Sequence, residues 1–265
     1  MVRQPVPPAQ MPLWRGMRPL KRWRYVGAFS PELMVCAGDA QVGFMRQRFW
    51  ALAEPERPIL TRSTLGRGGV ELAPGSVRVG TREVSIELEL DEDPGRETVL
   101  PNGPRGYVWT RKQAGVPVRG EVRVDGRTIA LDCFGVVDET AGYHERHTRW
   151  TWSAGVGMGG GGERIGWNLV TGVNDPVKGS ERAIWIDGEA FEPGPVRFAG
   201  DLSRVEFAEG GALGFREWSA RQERTNFLLV RSRYRQPFGE FSGDLPGGVS
   251  LAAGFGVMEW HDVHW

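Results

Sequence analysis

Glu121-Val-Arg-Val-Asp-Gly-Arg-Thr-Ile-Ala-Leu-Asp132 decides the fold class of this chain. Two alternating apolar and polar runs flank Asp125-Gly126. That dipeptide suits a two-residue hairpin, whose central positions need positive φ. Glycine takes that conformation freely and aspartate tolerates it. The same punctuation recurs on either side. Residues 77–90, VRVGTREVSIELEL, place Val84, Ile86, Leu88 and Leu90 on one face, the period of a half-buried strand. Residues 204–215, RVEFAEGGALGF, turn at Gly210-Gly211, and residues 250–265, SLAAGFGVMEWHDVHW, read as a strand able to close a barrel. Helix is confined at most to a piece near Met45 to Glu54, where FMRQRFWALAE has mixed character. The expectation is an all-β antiparallel meander forming two fused barrels or sandwiches with little helix.

Composition agrees. The 265 residues include 38 Gly and 18 Pro, which punctuate the chain too often for long helices, alongside 11 Trp and 12 Phe. The length admits two fused halves, taken as 1–137 and 138–265, or one compact unit. A gapped echo between GVPVRGEVRVDGR from Gly115 and GVNDPVKGSERAIWIDGE from Gly172 favours two related halves. Lys+Arg and Asp+Glu both total 33, so net charge draws the chain toward neither nucleic acid nor anionic membrane. The N-terminal residues lack the apolar core of a secretory signal, and no stretch reaches the roughly 18 apolar residues of a membrane span, so a cytoplasmic location is expected. Cys36 and Cys133 are too few for a disulfide scaffold and read as small buried hydrophobes.

Residues 138–152, DETAGYHERHTRWTW, concentrate the chemistry. If extended, they place His144, Arg146, Thr148, Trp150 and Trp152 on one face. That face either lines a ligand cavity or fills a core. All four histidines fall in two H-x-x-H pairs, His144 with His147 and His261 with His264. Residues three apart on a strand point to opposite faces, so neither pair chelates an ion by itself, and no metal is expected. GVGMGGGGER, residues 155–164, lacks the Gly-Lys-Ser/Thr of a phosphate loop and reads as a hairpin tip, so no cofactor is expected. Beyond it Asn174-Asp175-Pro176 marks a turn, with Asn168 and Glu181 in strand-like runs on either side. A carboxyl buried beside tryptophan would have its pKa raised and become a proton donor. The candidates are Asp138, Glu139, Asp175 and Glu181, with His144 as a further proton carrier; the alternative for each acid is a structural pairing with arginine.

The segments WRYVGAFSPELMVCAG, YVWTRKQAGVPVRG, DETAGYHERHTRWTWSAGVG, WNLVTGVND, SERAIWIDG, NFLLVRSRYRQPFGEFSG and GVMEWHDVHW resemble the bacterial family known as domain of unknown function 2804. More distantly the chain is similar to the two-barrel, lipocalin-like group that includes carotenoid hydratases and survival-factor lipid-binding proteins. The resemblance implies two fused lipocalin-like barrels and carries over no catalytic residue.

Three functions remain open from the sequence. The chain could bind an apolar small molecule, such as a lipid, isoprenoid or polyketide, with Trp150, Trp152 and Trp167 as walls and His144, Arg146 and Asn168 as polar anchors. The same pocket could be catalytic, with a buried acid or His144 protonating an alkene in a hydration, isomerisation or cyclisation. Or the chain could be an interaction module without a pocket, using the Arg and aromatic residues of 231–243; the neutral charge argues against nucleic acid as its partner.

Overall fold

The computed structural model describes residues 8–66, 68–227 and 230–265. A short hairpin, β1 (Trp14–Arg15) and β2 (Arg18–Pro19), precedes two large antiparallel sheets. The first contains β3 (Lys21–Phe29), β4 (Met34–Val42), β5 (Met45–Ala53), β6 (Leu60–Leu65), β7 (Val70–Ala73), β8 (Ser76–Gly80), β9 (Val84–Leu90), β10 (Arg96–Asn102), β11 (Gly106–Val124) and β12 (Arg127–Gly142). The second contains β13 (His147–Gly159), β14 (Arg164–Thr171), β15 (Ala183–Ile186), β16 (Glu189–Phe191), β17 (Val196–Phe198), β18 (Arg204–Phe207), β19 (Ala212–Phe227), β20 (Val230–Leu245) and β21 (Val249–His264). No α-helix occurs among the described residues, so none is long and apolar enough to cross a membrane. The fold is all-β, as two curled half-barrels.

The sheets share one topology. The first runs β6-β5-β4-β3-β12-β11-β9-β8-β7, with β10 added on β11, and the second runs β16-β15-β14-β13-β21-β20-β19-β18-β17. In each, a four-strand meander pairs its first strand with the last strand of its own half. The doubling is therefore real at the level of strand order. The echo between Gly115 and Gly172 does not mark it: the first copy runs along β11 into the turn to β12, and the second spans the β14–β15 connection, β15 and the turn to β16, which are not equivalent. The first sheet continues through Gly142 and the second begins at His147, so residue 137 lies within β12.

The hairpins form where the turn chemistry placed them. Asp125 and Gly126 have φ of 50° and 73° and join β11 to β12 in register, Val124 opposite Arg127. In β9, Val84, Ile86, Leu88 and Leu90 are buried in alternation. The stretch near Met45 to Glu54 is strand β5 and not helix. Both faces of β5 are covered, Trp50 packing into the first half-barrel's core and Phe49 against the seam cluster, and that double burial removes the period-2 signal.

Three apolar layers follow from this alternation. Val26, Leu52, Ile86 and Val137 belong to the core of the first half-barrel, and Ile165, Trp167, Leu169 and Phe241 to that of the second. Between them Tyr25, Val136, Trp152, Val170 and Phe238 form a seam cluster that joins the halves. The strands at the seam are buried on both faces, one side chain into its own half-barrel and the next toward the partner sheet. That arrangement leaves a place for a site between the sheets.

Candidate functional site

A cavity of about 520 Å³ lies in the seam, walled by both sheets. Its aromatic wall comes from β3 and β13. The indoles of Trp23 and Trp150 are nearly parallel, with centroids 6.3 Å apart at 4°, and Tyr25 meets Trp152 edge-on at 5.6 Å. Trp150 and Trp152 share the cavity face because β13 is extended through both. His144 also lines the cavity, stacked on Trp23 at 5.4 Å, with its Nδ1 buried and lacking a hydrogen-bond partner. Burial, with Lys21 nearby, brings its pKa down to about 3. Neutral at pH 7, it has no imidazolium proton to give.

The alternation does not extend to Arg146. Residues 143–146 break the strand, and Arg146 is exposed and absent from the cavity wall; it serves through its carbonyl, which accepts from the Trp265 amide at 2.8 Å. Nor is Trp167 a wall. It turns to the opposite face of β14, fully buried in the second core, where it meets Phe241 edge-on and donates from Nε1 to Ser153 Oγ at 3.0 Å. Asn168 stands behind the wall. Its Oδ1 accepts from Trp152 Nε1 at 2.8 Å and its Nδ2 donates to the Glu181 carbonyl at 2.9 Å, tying the indole to the acid's backbone.

The acids separate sharply. Glu139 points to the opposite face of β12 from Asp138 and is held by Arg24 and Arg111 in an ion cluster outside the seam cavity. Asp175 accepts from the Gly172 amide at 2.8 Å and the Thr171 hydroxyl at 3.2 Å, so it builds the turn and does not reach the cavity. Glu181 does reach it. Buried just before β15, its Oε2 accepts from Asn174 Nδ2 at 3.0 Å while its Oε1 lies 3.7 Å from Lys112 Nζ. Lys112 itself donates to Asp138 at 2.6 Å. Burial raises the Glu181 pKa above the carboxylate range, against the pull of Lys112, and the Asp138 charge adds to the rise. Burial also opposes the Lys112 charge, but Asp138 and Glu181 outweigh it and hold the ammonium. One lysine thus serves two carboxyls, and Glu181 is the one biased toward its protonated form.

A further buried carboxyl lines the cavity, one that the sequence does not single out. Glu259, on β21, pairs in register with Trp152. Its Oε1 accepts from Trp150 Nε1 at 2.8 Å, and its Oε2 from the Tyr234 hydroxyl at 2.9 Å and Gln236 Nε2 at 3.0 Å. Burial pushes its pKa up to about 7, with the Asp138 charge adding to burial and the hydrogen bonds opposing it. The local signal, Glu259 between Met258 and Trp260 in VMEWHDV, is slight; only the distant pairing of β21 with β13 sets it against the tryptophans. Beside it His261 packs on Trp150 at 4.3 Å and shares a 2.7 Å hydrogen bond with Ser232, its pKa lowered to about 3 by burial and by Arg221.

In neither H-x-x-H pair do the two rings share a face: His144 and His261 line the cavity, whereas His147 and His264 are exposed. Pairing across strands brings together one histidine from each. His147 and His264 stack at 4.0 Å, and their ring nitrogens and an Asp262 oxygen lie within 4.8 Å of one another, a donor set that the argument against a metal, confined to each pair, did not consider. Asp262 there already accepts from Arg149 at 2.8 Å and bonds His147 at 2.8 Å.

Comparison with known proteins agrees with this architecture. The family model described as "Domain of unknown function (DUF2804)" matches residues 66–265. The chain belongs to that family. No curated protein matches it in sequence. Among solved structures, it is similar to a Nitrosomonas europaea protein assigned as AttH, at 12% identity and TM-score 0.59, over 97% of this chain and 98% of that one. It is similar also to kievitone hydratase from Nectria haematococca, at 12% identity and TM-score 0.52, over 90% and 88%. At such identities the likeness is one of fold, a lipocalin-like pair of half-barrels.

Proposed function

We propose that this member of the family binds a small molecule with an apolar, unsaturated body in the seam cavity and transfers a proton to it. The observation that carries the reading is Glu259. It is a buried carboxyl with a pKa of about 7, held by Trp150, Tyr234 and Gln236 within an aromatic cavity. Such a group is protonated in a useful fraction at neutral pH and gives its proton readily. In the step proposed, the Glu259 proton adds to a substrate double bond and leaves a carbocation facing Trp23, Tyr25 and Trp150, whose π faces stabilise positive charge. Water then adds and loses a proton, giving a hydrate; or the neighbouring carbon loses a proton, giving an isomer. Asp138, ion-paired with Lys112, is the acceptor placed for either proton.

The fold of kievitone hydratase is consistent with such chemistry, and the cavity removes the main ground for a module without a ligand. The cytoplasmic setting and the absence of a nucleic-acid partner, read from the sequence, belong to this proposal. The test is native mass spectrometry of wild-type, Trp150→Ala and Glu259→Gln protein purified from source cells, with organic extraction and timed incubation of the retained compound. Wild type should carry and convert a compound, Glu259→Gln should carry it unchanged, and Trp150→Ala should carry little. An empty wild-type protein that also ignores a panel of isoprenoid and polyketide probes would overturn the proposal.

A further inference from the structure

The described residues leave few large apolar side chains exposed, and most of those gather at one place. Leu13, Trp14 and Met17 in and around the β1–β2 hairpin, Phe44 and Met45 at the β4–β5 turn, and Leu65 at the end of β6 are all exposed. Met17 is 95%, Phe44 78% and Leu65 73% exposed. The three segments are neighbours. The Gly43 amide donates to the Leu20 carbonyl at 2.9 Å and the Gly66 amide to the Arg46 carbonyl at 2.8 Å, while Trp14 and Phe44 have ring centroids 6.5 Å apart. An apolar cluster of this kind on a folded surface marks a contact site and not chance exposure.

Its position is informative. Phe44, Met45 and Leu65 also line the seam cavity, so the patch adjoins the cavity mouth, with Leu13, Trp14 and Met17 extending it beyond the lining. Thr225, Val230 and Ser232 from β19 and β20 line the same cavity. On the other face of these strands, at the alternate positions, Arg224, Arg231 and Arg233 are exposed and make no ion pair among the described residues. Arg22 is likewise exposed, lines the cavity and, among the described residues, bonds only the neutral Gln41 side chain. A chain of zero net charge thus carries exposed arginines beside an apolar, aromatic mouth, and the nearby acids Glu223 and Asp262 are already paired, with Arg221 and Arg149.

We propose that this mouth docks on an anionic lipid bilayer. Trp14, Met17, Phe44 and Leu65 enter the interfacial region, and the four arginines face lipid phosphates. Aromatic and aliphatic tips flanked by cations are the pattern of an interfacial anchor. The charge favours this occupant over a second copy of the chain, which would set the same arginines against each other. A lipophilic ligand could then pass from bilayer to cavity without crossing water; that consequence rests on the proposed function, whereas the docking does not.

The test is co-sedimentation with vesicles of phosphatidylcholine alone and with about one-third phosphatidylglycerol, with oligomeric state followed by light scattering. Wild type and Glu259→Gln should both bind the anionic vesicles, the latter showing that docking is separate from cavity chemistry. Met17→Glu/Phe44→Glu, at exposed turn positions, should reduce partitioning at least about tenfold. Arg231→Gln/Arg233→Gln should weaken binding to anionic vesicles and leave binding to neutral ones unchanged. Absence of wild-type binding, equal binding by the Met17/Phe44 variant, or a wild-type dimer that this variant dissolves without any vesicle binding would each overturn the proposal.

Discussion

Replacing Glu259 with Gln should change how stability depends on pH, and the change can be worked from the structure. The carboxyl has an ordinary pKa of 4.5 and stands at about 7 in the folded protein. Because the folded state holds the proton more tightly than the unfolded chain, Glu259 contributes its full stability below pH 4.5, and that contribution is lost as pH rises toward 7. A shift of about 2.5 units, at about 1.4 kcal/mol per unit, amounts to roughly 3 kcal/mol lost across that window. Two histidines complicate the raw profile. His144 and His261, with pKa lowered to about 3 in the folded protein, are charged in the unfolded chain below about 6.5, so they cost stability as pH falls and slope the opposite way. The difference between wild type and Glu259→Gln cancels their contribution.

Urea unfolding of both proteins at pH 5, 6, 7 and 8 supplies that difference. Glutamine can still accept from Trp150, but its amide meets Gln236 Nε2, a donor facing a donor, so a constant offset is expected. Above it, wild type should lose about 2 to 3 kcal/mol relative to the variant between pH 5 and 8, the part of the full linkage that falls in this window. Parallel profiles would mean that Glu259 is ionised throughout, held so by Tyr234, Gln236 and Arg221, and the proton-donor argument would fail with them.

Other perturbations test the surrounding network. Lys112→Met leaves Asp138 and Glu181 sharing the cavity without their cation and should cost roughly 3–5 kcal/mol at pH 7, less at pH 5 where one carboxyl takes a proton, as read by urea unfolding. Asn168→Ala severs the link from Trp152 to the Glu181 backbone and should cost about 1–3 kcal/mol while loosening ligand retention in native mass spectrometry. His144→Phe keeps the stack on Trp23 and removes one histidine from the acid limb, so its stability should fall less steeply than wild type between pH 6.5 and 4.

The legible part of the sequence was whatever depends on neighbours along the chain. Asp125-Gly126 and Gly210-Gly211 announce their turns, and the alternation in β9 and β13 sorts side chains correctly because each strand is unbroken. Where a strand stops, the alternation stops carrying information, and Arg146 falls outside the cavity for that reason. Double burial defeats the same rule in another way. Trp150, Trp152 and Trp167 are alike in sequence, but the seam strands have two apolar faces, and only sheet packing decides that Trp167 fills the second core while the others bound the cavity.

The acids show the limit most clearly. Glu139, Asp175, Glu181 and Glu259 have the same chemistry as residues, and their environments separate them into an ion-cluster partner, a turn former and two raised carboxyls. Burial raises the last two, with the Asp138 charge adding to it, and that burial comes from a meeting of strands no window of sequence contains. β12 brings Asp138 from one half, β21 brings Glu259 and the segment before β15 brings Glu181 from the other, and a single ammonium from β11 lies among them. Lys112 bonds Asp138 and approaches Glu181, while Glu259 is held by Trp150, Tyr234 and Gln236 with Arg221 nearby. The raised carboxyls are therefore a product of the seam itself: two half-barrels, each with an apolar core of its own, bury charged side chains against each other.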